Sequence, residues 1–257
     1  MRNVLLLTAF LFVGICLNAQ TMHTLIFVNT QENGSHGDRT VDRSKDFVNM
    51  KDFFSAVASA IGYTNNMRAH GLQKDFNSAT IDAEINRLNV NRNDIVVFYY
   101  SGHGGNLNND LWPSFELTDK YYWQTDILRK LNGKCSNAKL LLCIADCCNG
   151  IRDNNMRGSF DGCEDINGLK YLFTGFPGKY AITISASKKG QYSYSDKRYG
   201  AFFGICFREA IAEKTANNGS PTWEDVLNYA KKLTMRVSNN EQEPQYSIKV
   251  KGDPMDD

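Results

Sequence analysis

Two six-residue apolar runs, Ile95 to Tyr100 and Leu140 to Ala145, stand out from an otherwise mixed sequence. Neither alternates with polar residues, so each suits a central parallel strand covered on both faces. Thr24 to Val28 is a shorter β-branched run and reads as a first strand. Asn66 to His70, Ala181 to Ser185 and Tyr246 to Val250 read as further strands. Elsewhere the period changes. Phe47, Met50, Phe54, Val57 and Ile61 recur at spacings of three and four, one face of a helix that Gly62 stops. Ile81, Ile85 and Leu88 mark a second helix, with Asp82 and Glu84 placed in its first turn, where the helix dipole favours carboxylates. Thr125 to Leu131 and the set Phe203, Phe207, Ala210 and Ile211 predict two more. Thr222 to Asp225, after Pro221, reads as a capping box that opens another. Residues 149–179 are rich in Gly, Asn and Asp with little periodicity and read as one long loop. Alternating strands and helices predict an α/β fold, a three-layer sandwich around a mostly parallel sheet. The long loop lies inside a single domain spanning 20–257.

Composition narrows the function classes. The 257 residues carry a formal net charge of +1, which gives no electrostatic case for nucleic acid or an anionic membrane surface. Arg2 followed by the apolar stretch from Val4 to Leu17 is too short for a membrane span. With Leu17-Asn18-Ala19 as a small-residue cleavage site, it reads as a signal peptide over 1–19, giving an exported mature chain from Gln20. Six cysteines remain after Cys16 is removed: Cys135, Cys143, Cys147, Cys148, Cys163 and Cys206. Cys143 in an apolar strand and Cys206 on a helix face read as inert core thiols. Cys135 and Cys163 read as loop-borne, and could pair.

The chemistry lies where the two apolar runs stop. One ends in Ser101-Gly102-His103-Gly104-Gly105, the other in Asp146-Cys147-Cys148-Asn149-Gly150. Reactive groups gather at the carboxyl ends of parallel strands, and a thiol beside an imidazole is what a cysteine nucleophile and its base require. A lone histidine is more often structural. His103 differs from His23, His36 and His70, which read as surface or loop residues, in following a buried strand within a glycine-rich turn. For the cysteines the bland readings are buried structural thiols, a vicinal redox pair or a metal site. The spacing from Cys143 to Cys147 and Cys148 is not that of a zinc site, and no metal is expected.

These segments resemble the caspase-fold cysteine peptidases, the clan that includes metacaspases and their bacterial relatives. Caspases place the histidine about 50 residues before the cysteine, and Cys148 here lies 45 beyond His103. The Asp146-Cys147-Cys148 stretch resembles the Asp-x-Cys of metacaspase-like members. Ser185 to Asp196, followed by Gly200 to Ile211, resembles the family's next strand, specificity loop and helix. Glu243-Pro244-Gln245 resembles a tail motif. The resemblance implies a His103–Cys148 dyad, an oxyanion hole from the backbone N–H groups of Gly104 and Cys148, and Asp146 in an S1 pocket for Arg or Lys. It also implies a second pocket acid after the first strand, for which Asp38 and Asp42 are candidates. The family's glycine three residues after the nucleophile is offset: Gly150 lies two after Cys148 and three after Cys147, so Cys147 stays an alternative. Arg152, Arg157, Lys170 and Lys179, in the region where caspases are cut, are candidate self-processing sites for a zymogen. The implied partners are protein or peptide substrates. No cofactor is required by this chemistry, and calcium is left open because no EF-hand-like loop is present to decide it. The competing class is a catalytically inactive caspase-fold binding module.

Overall fold

The computed structural model describes residues 20–30, 43–107, 110–149, 166–196, 198–216 and 219–251. The chain opens with β1 (Thr21–Val28), α1 (Ser44–Ile61), β2 (Thr64–His70) and α2 (Ser78–Asn86). It continues through β3 (Ile95–Ser101), β4 (Gly104–Gly105), β5 (Ser114–Glu116), β6 (Tyr121–Trp123), α3 (Gln124–Lys134) and β7 (Leu140–Asp146). After α4 (Ile166–Lys170) come β8 (Lys179–Ser185), β9 (Ser195–Asp196), β10 (Gly200–Ala201), α5 (Phe202–Ala216), α6 (Trp223–Val237) and β11 (Gln245–Lys251).

Six strands form the central sheet in the order β11-β8-β7-β3-β1-β2, parallel except for β11 against β8. The two apolar runs are its inner strands β3 and β7, and every residue of both is buried. Their alternate side chains feed two cores. Val97, Tyr99, Leu142 and Ile144 meet Met50 and Phe54 of α1, Phe203 and Phe207 of α5 and Trp223 of α6. Phe98, Tyr100, Leu141 and Cys143 meet Ile81 and Ile85 of α2 and Ile127 and Leu131 of α3. Burial on both faces is why these strands show no alternation, and the three-layer α/β sandwich is the expected one.

Local departures have identifiable causes. Asn77 caps α2, its Oδ1 accepting the Thr80 N–H at 2.9 Å, so the helix starts at Ser78 and Asp82 and Glu84 fall beyond its first turn. Asp82 instead accepts from the Tyr122 hydroxyl at 2.6 Å, and the buried Glu84 pairs with Arg68 at 2.8 Å. Within the segment read as a loop, α4 runs into a π-helical turn, Tyr171–Gly175, that puts Leu172 and Phe173 into the core. So short an element leaves no period to read. Cys135 is buried at the end of α3 rather than loop-borne, and Cys163 lies outside the described residues.

His23 and His70 are not surface residues either; His36 lies outside the described residues. His70 is half-buried and stacks on Phe27 with centroids 4.9 Å apart. His23 is buried in β1, its Nδ1 accepting from Asn66 Nδ2 at 3.1 Å and its Nε2 facing Asp94 Oδ2 at 3.4 Å. Asp94 also accepts the N–H groups of Thr21 and Asn91, tying the start of β1 to the turn before β3. Burial holds the His23 imidazole below its ordinary value of 6.5, outweighing the attraction of Asp94. The unfolded chain then takes up the proton first as pH falls, so stability contributed here is present above 6.5 and lost progressively below it. Denaturant melts between pH 7 and 5 should show a smaller loss for His23→Gln than for wild type.

Candidate active site

Strands β3 and β7 are neighbours with Ser101 opposite Asp146. His103 and Cys148 each lie two residues past that pair, so they leave adjacent parallel strands at the same level of the sheet's carboxyl edge. The His103 backbone is pinned there, its carbonyl accepting from the Tyr100 hydroxyl at 2.5 Å and from the Glu116 N–H at 3.0 Å. The second bond flanks the Gly104–Phe115 pair of the β4–β5 ladder. That makes Gly104 a non-hydrogen-bonded position, and its own N–H is not directed at β5.

The two cysteines differ in environment. Cys147 continues the alternation of β7 and turns toward the α2 and α3 face, where its sulfur sits under Gly104. A Cβ built on Gly104 would lie 2.6 Å from Cys147 Sγ and 2.9 Å from the Ser114 carbonyl, so a side chain at 104 would force the His103 segment off the sheet. Cys147 is 1% exposed, and burial pushes its thiol well above the usual range. Cys148 is half-buried past the strand end. Its Sγ accepts the Ser193 N–H at 3.3 Å and donates to the Ser193 carbonyl at 3.7 Å. Cys143 and Cys206 are buried, each thiol pushed up to about 12 chiefly by that burial.

Below this edge, on the α1 and α5 side, two carboxylates converge. Asp146, fully buried, accepts from the Tyr99 hydroxyl at 3.0 Å and the Ser193 hydroxyl at 3.4 Å. Asp46, in the first turn of α1, accepts the Ala201 N–H at 2.7 Å and the Ser101 hydroxyl at 3.0 Å. Gly200, with φ of +102°, brings its backbone against the Asp46 carboxylate, where a Cβ would collide with Oδ1. Burial and then the Asp46 charge push the Asp146 carboxyl up to about 7, against the opposing pull of Tyr99 and Arg43. Asp46 is raised too, mainly by burial. Two half-buried cations act on the pair: Arg208 on Asp46, and Arg43 on both, its Nη1 donating to Ser101 Oγ at 3.3 Å.

The family model for the caspase domain matches residues 24–253. The chain belongs to the caspase-domain family. Among solved structures it is similar to caspase-1 from Spodoptera frugiperda, at 12% identity and a TM-score of 0.53 over 90% of this chain and 86% of that one. It is also similar to a Geobacter sulfurreducens protein, at 16% identity and a TM-score of 0.53 over 92% and 96% of the two chains. No curated protein gives a significant match. At these identities the structural likeness establishes the fold, and the caspase domain marks a cysteine-peptidase-like function.

In this caspase domain, His103, Gly104, Asp146 and Cys148 come together at one edge. Asp38, Asp42, Arg152 and Arg157 lie outside the described residues. Lys170 is the last residue of α4, and Lys179 opens β8, paired with Lys251 of β11. Among the described residues no cluster of three His, Cys, Asp or Glu side chains could hold a metal ion, and no helix is long and apolar enough to cross a membrane. The sequence pattern does not single out Asp46, Ser101 or Ser193. Asp46 alone leaves a signal: it lies four residues before Met50, in line with the apolar stripe of α1.

Proposed function

We propose that the mature chain is an exported cysteine endopeptidase that cleaves after arginine or lysine. Cys148 is the nucleophile and His103 its acid–base partner. The observation that carries this reading is the shared register, which sets the two residues level on neighbouring strand ends. Cys148 rather than Cys147 is chosen because a nucleophile must become a thiolate and reach substrate, and burial opposes both for Cys147. His103 takes the Cys148 proton, and the thiolate attacks the peptide carbonyl carbon. The imidazolium then protonates the amine as the C–N bond breaks. Water, deprotonated by His103, hydrolyses the thioester. The N–H groups of Gly104 and Cys148 face the developing oxyanion.

Asp146 and Asp46 supply the basic preference, with Asp46 taken as the second pocket acid in place of Asp38 or Asp42. Two buried carboxylates destabilise each other, and a guanidinium or ammonium between them relieves that repulsion through charge-assisted hydrogen bonds. Arg43, which donates to Ser101, gives way to the substrate cation. The dyad needs no cofactor. Export follows from the N-terminal segment. Self-processing is assigned to Arg152 or Arg157, because a peptidase takes its substrate as an unpaired extended segment, whereas Lys170 sits in a helix and Lys179 in a strand already paired with β11.

Fluorogenic peptides with Arg, Lys or Asp before the scissile bond, assayed under reducing conditions with and without calcium, test the reading. Turnover after Arg and Lys alone is expected, with intact masses that place any cut within residues 150–165. Turnover after Asp alone would overturn the assigned pocket. No turnover of any peptide would favour the binding module.

A further inference from the structure

Gln242 has no part in the chemistry above, yet it is fully buried beside the site with every polar atom of its carboxamide engaged. Its Oε1 accepts the Tyr194 N–H at 2.9 Å, which fixes the orientation of the amide. Its Nε2 donates to the Ala186 carbonyl at 2.9 Å and to Ser193 Oγ at 3.3 Å. A hydroxyl that accepts from an amide has its own proton free, and Ser193 directs it to Asp146 Oδ1. The Ser193 backbone holds the Cys148 sulfur. The neighbouring residue completes the clamp: Glu243 N–H donates to Gln191 Oε1 at 2.8 Å, and its carbonyl accepts the Lys188 N–H at 2.7 Å. The loop between β8 and β9 is thus seated on residues 242 and 243 on one side. On the other it meets the nucleophile, and Asn149 exchanges backbone bonds with Gln191 and Gly190.

We infer that Gln242 is a positioning residue, which through Ser193 sets both the N–H that the Cys148 sulfur accepts and the hydroxyl that Asp146 accepts. The inference deepens the peptidase reading and rests on it. One carboxamide couples the nucleophile to the specificity pocket although it touches neither, and misplacement of about an ångström at a reacting centre can cost on the order of 10²-fold in rate.

The test uses Gln242→Leu, Gln242→Glu and Ser193→Ala in the full mature chain. It reads steady-state cleavage of an Arg peptide and the pH profile of Cys148 alkylation by iodoacetamide, followed by peptide mass. Cys147 and Tyr194 lie within electrostatic reach of Cys148, and His103 shares its edge; all three are retained in every variant. Gln242→Leu should lower kcat/KM about tenfold or more and move the alkylation midpoint upward, because the Ser193 N–H no longer sits on the sulfur. Ser193→Ala keeps that N–H, so it should raise KM while leaving the alkylation midpoint in place. A folded Gln242→Leu with wild-type kcat/KM and midpoint would overturn the inference. If that variant does not fold, Gln242→Glu decides, since it keeps the acceptor for Tyr194 but turns an oxygen toward Ala186 and Ser193. If neither folds, an unchanged KM in Ser193→Ala overturns it. Should the wild type cleave nothing, the peptidase reading fails and the alkylation profiles alone judge the positioning.

Discussion

Cys148→Ala will lose peptide turnover by on the order of 10⁴-fold or more, the scale seen when a covalent nucleophile is removed from a hydrolase, whereas Cys147→Ala will keep most of it. The two residues are adjacent in sequence and opposite in physical state. Cys147 ends the alternation of β7, and its sulfur fills the space under Gly104. Losing that sulfur leaves a small void and a looser His103 segment, at a cost of about 1 kcal/mol of stability and a modest fall in kcat. Cys148 lies beyond the strand, half-buried, with a backbone N–H on its sulfur. Alkylation near pH 6 will separate them without any substrate. Cys148 should be modified first, ahead of Cys143, Cys147 and Cys206, whose thiols burial holds protonated. Preferential labelling of Cys147, or full turnover in Cys148→Ala, would reverse the assignment.

Asp46→Asn and Asp146→Asn will each lower kcat/KM for an Arg peptide by about 10²-fold or more, because the substrate cation then meets an amide in place of a carboxylate. The pH dependence carries a sign. Burial and the neighbouring Asp46 raise the Asp146 carboxyl to about 7, so near neutrality about half of the free enzyme holds a proton there. A cationic substrate prefers the ionised form, so kcat/KM should climb between pH 6 and 8, and Asp146→Asn should remove the part of that rise due to this group. Stability runs the other way. The unfolded carboxyl titrates near 3.8 and the folded one higher. The stabilising contribution is therefore complete below about 3.8 and lost as pH rises through about 7. A flat kcat/KM profile in wild type, with asparagine variants matching it on Arg peptides, would remove the pair from the pocket.

How much of this was legible in the chain depends on the length scale of the pattern. Six-residue apolar runs in β3 and β7 announce buried parallel strands, and the stripe of α1 announces its helix. Those signals also placed His103 and Cys148 at strand ends. The small sheets β4–β5–β6 and β9–β10 were not legible, because strands of two or three residues complete no period. His23 looked like any polar residue near a chain start. Its burial depends on Asp94, brought beside it only by the sheet. Asp46 is the instructive omission. Its partners Ala201 and Ser101 lie 155 and 55 residues away, so its placement belongs to the tertiary fold, and only its alignment with Met50 hinted at it.

The crossing from β7 to β8 has a further consequence. The two strands lie side by side, yet the polypeptide between them runs from residue 147 to residue 178. Strands β2, β1, β3 and β7, with His103, Asp46 and Asp146, precede that segment, and Cys148 is its second residue; β8, β11, α5, α6, Ser193 and Gln242 follow it. The edge that carries His103 and Cys148 is thus assembled from two pieces held by a strand ladder and a shared core, as though they were subunits of a heterodimer. Severing the connecting segment within residues 150–165 would leave every described contact between them in place, so the break would show on a denaturing gel as two bands and in native chromatography as one particle. The covalent join would then set how fast the halves find each other during folding, and the ladder would set whether they stay together.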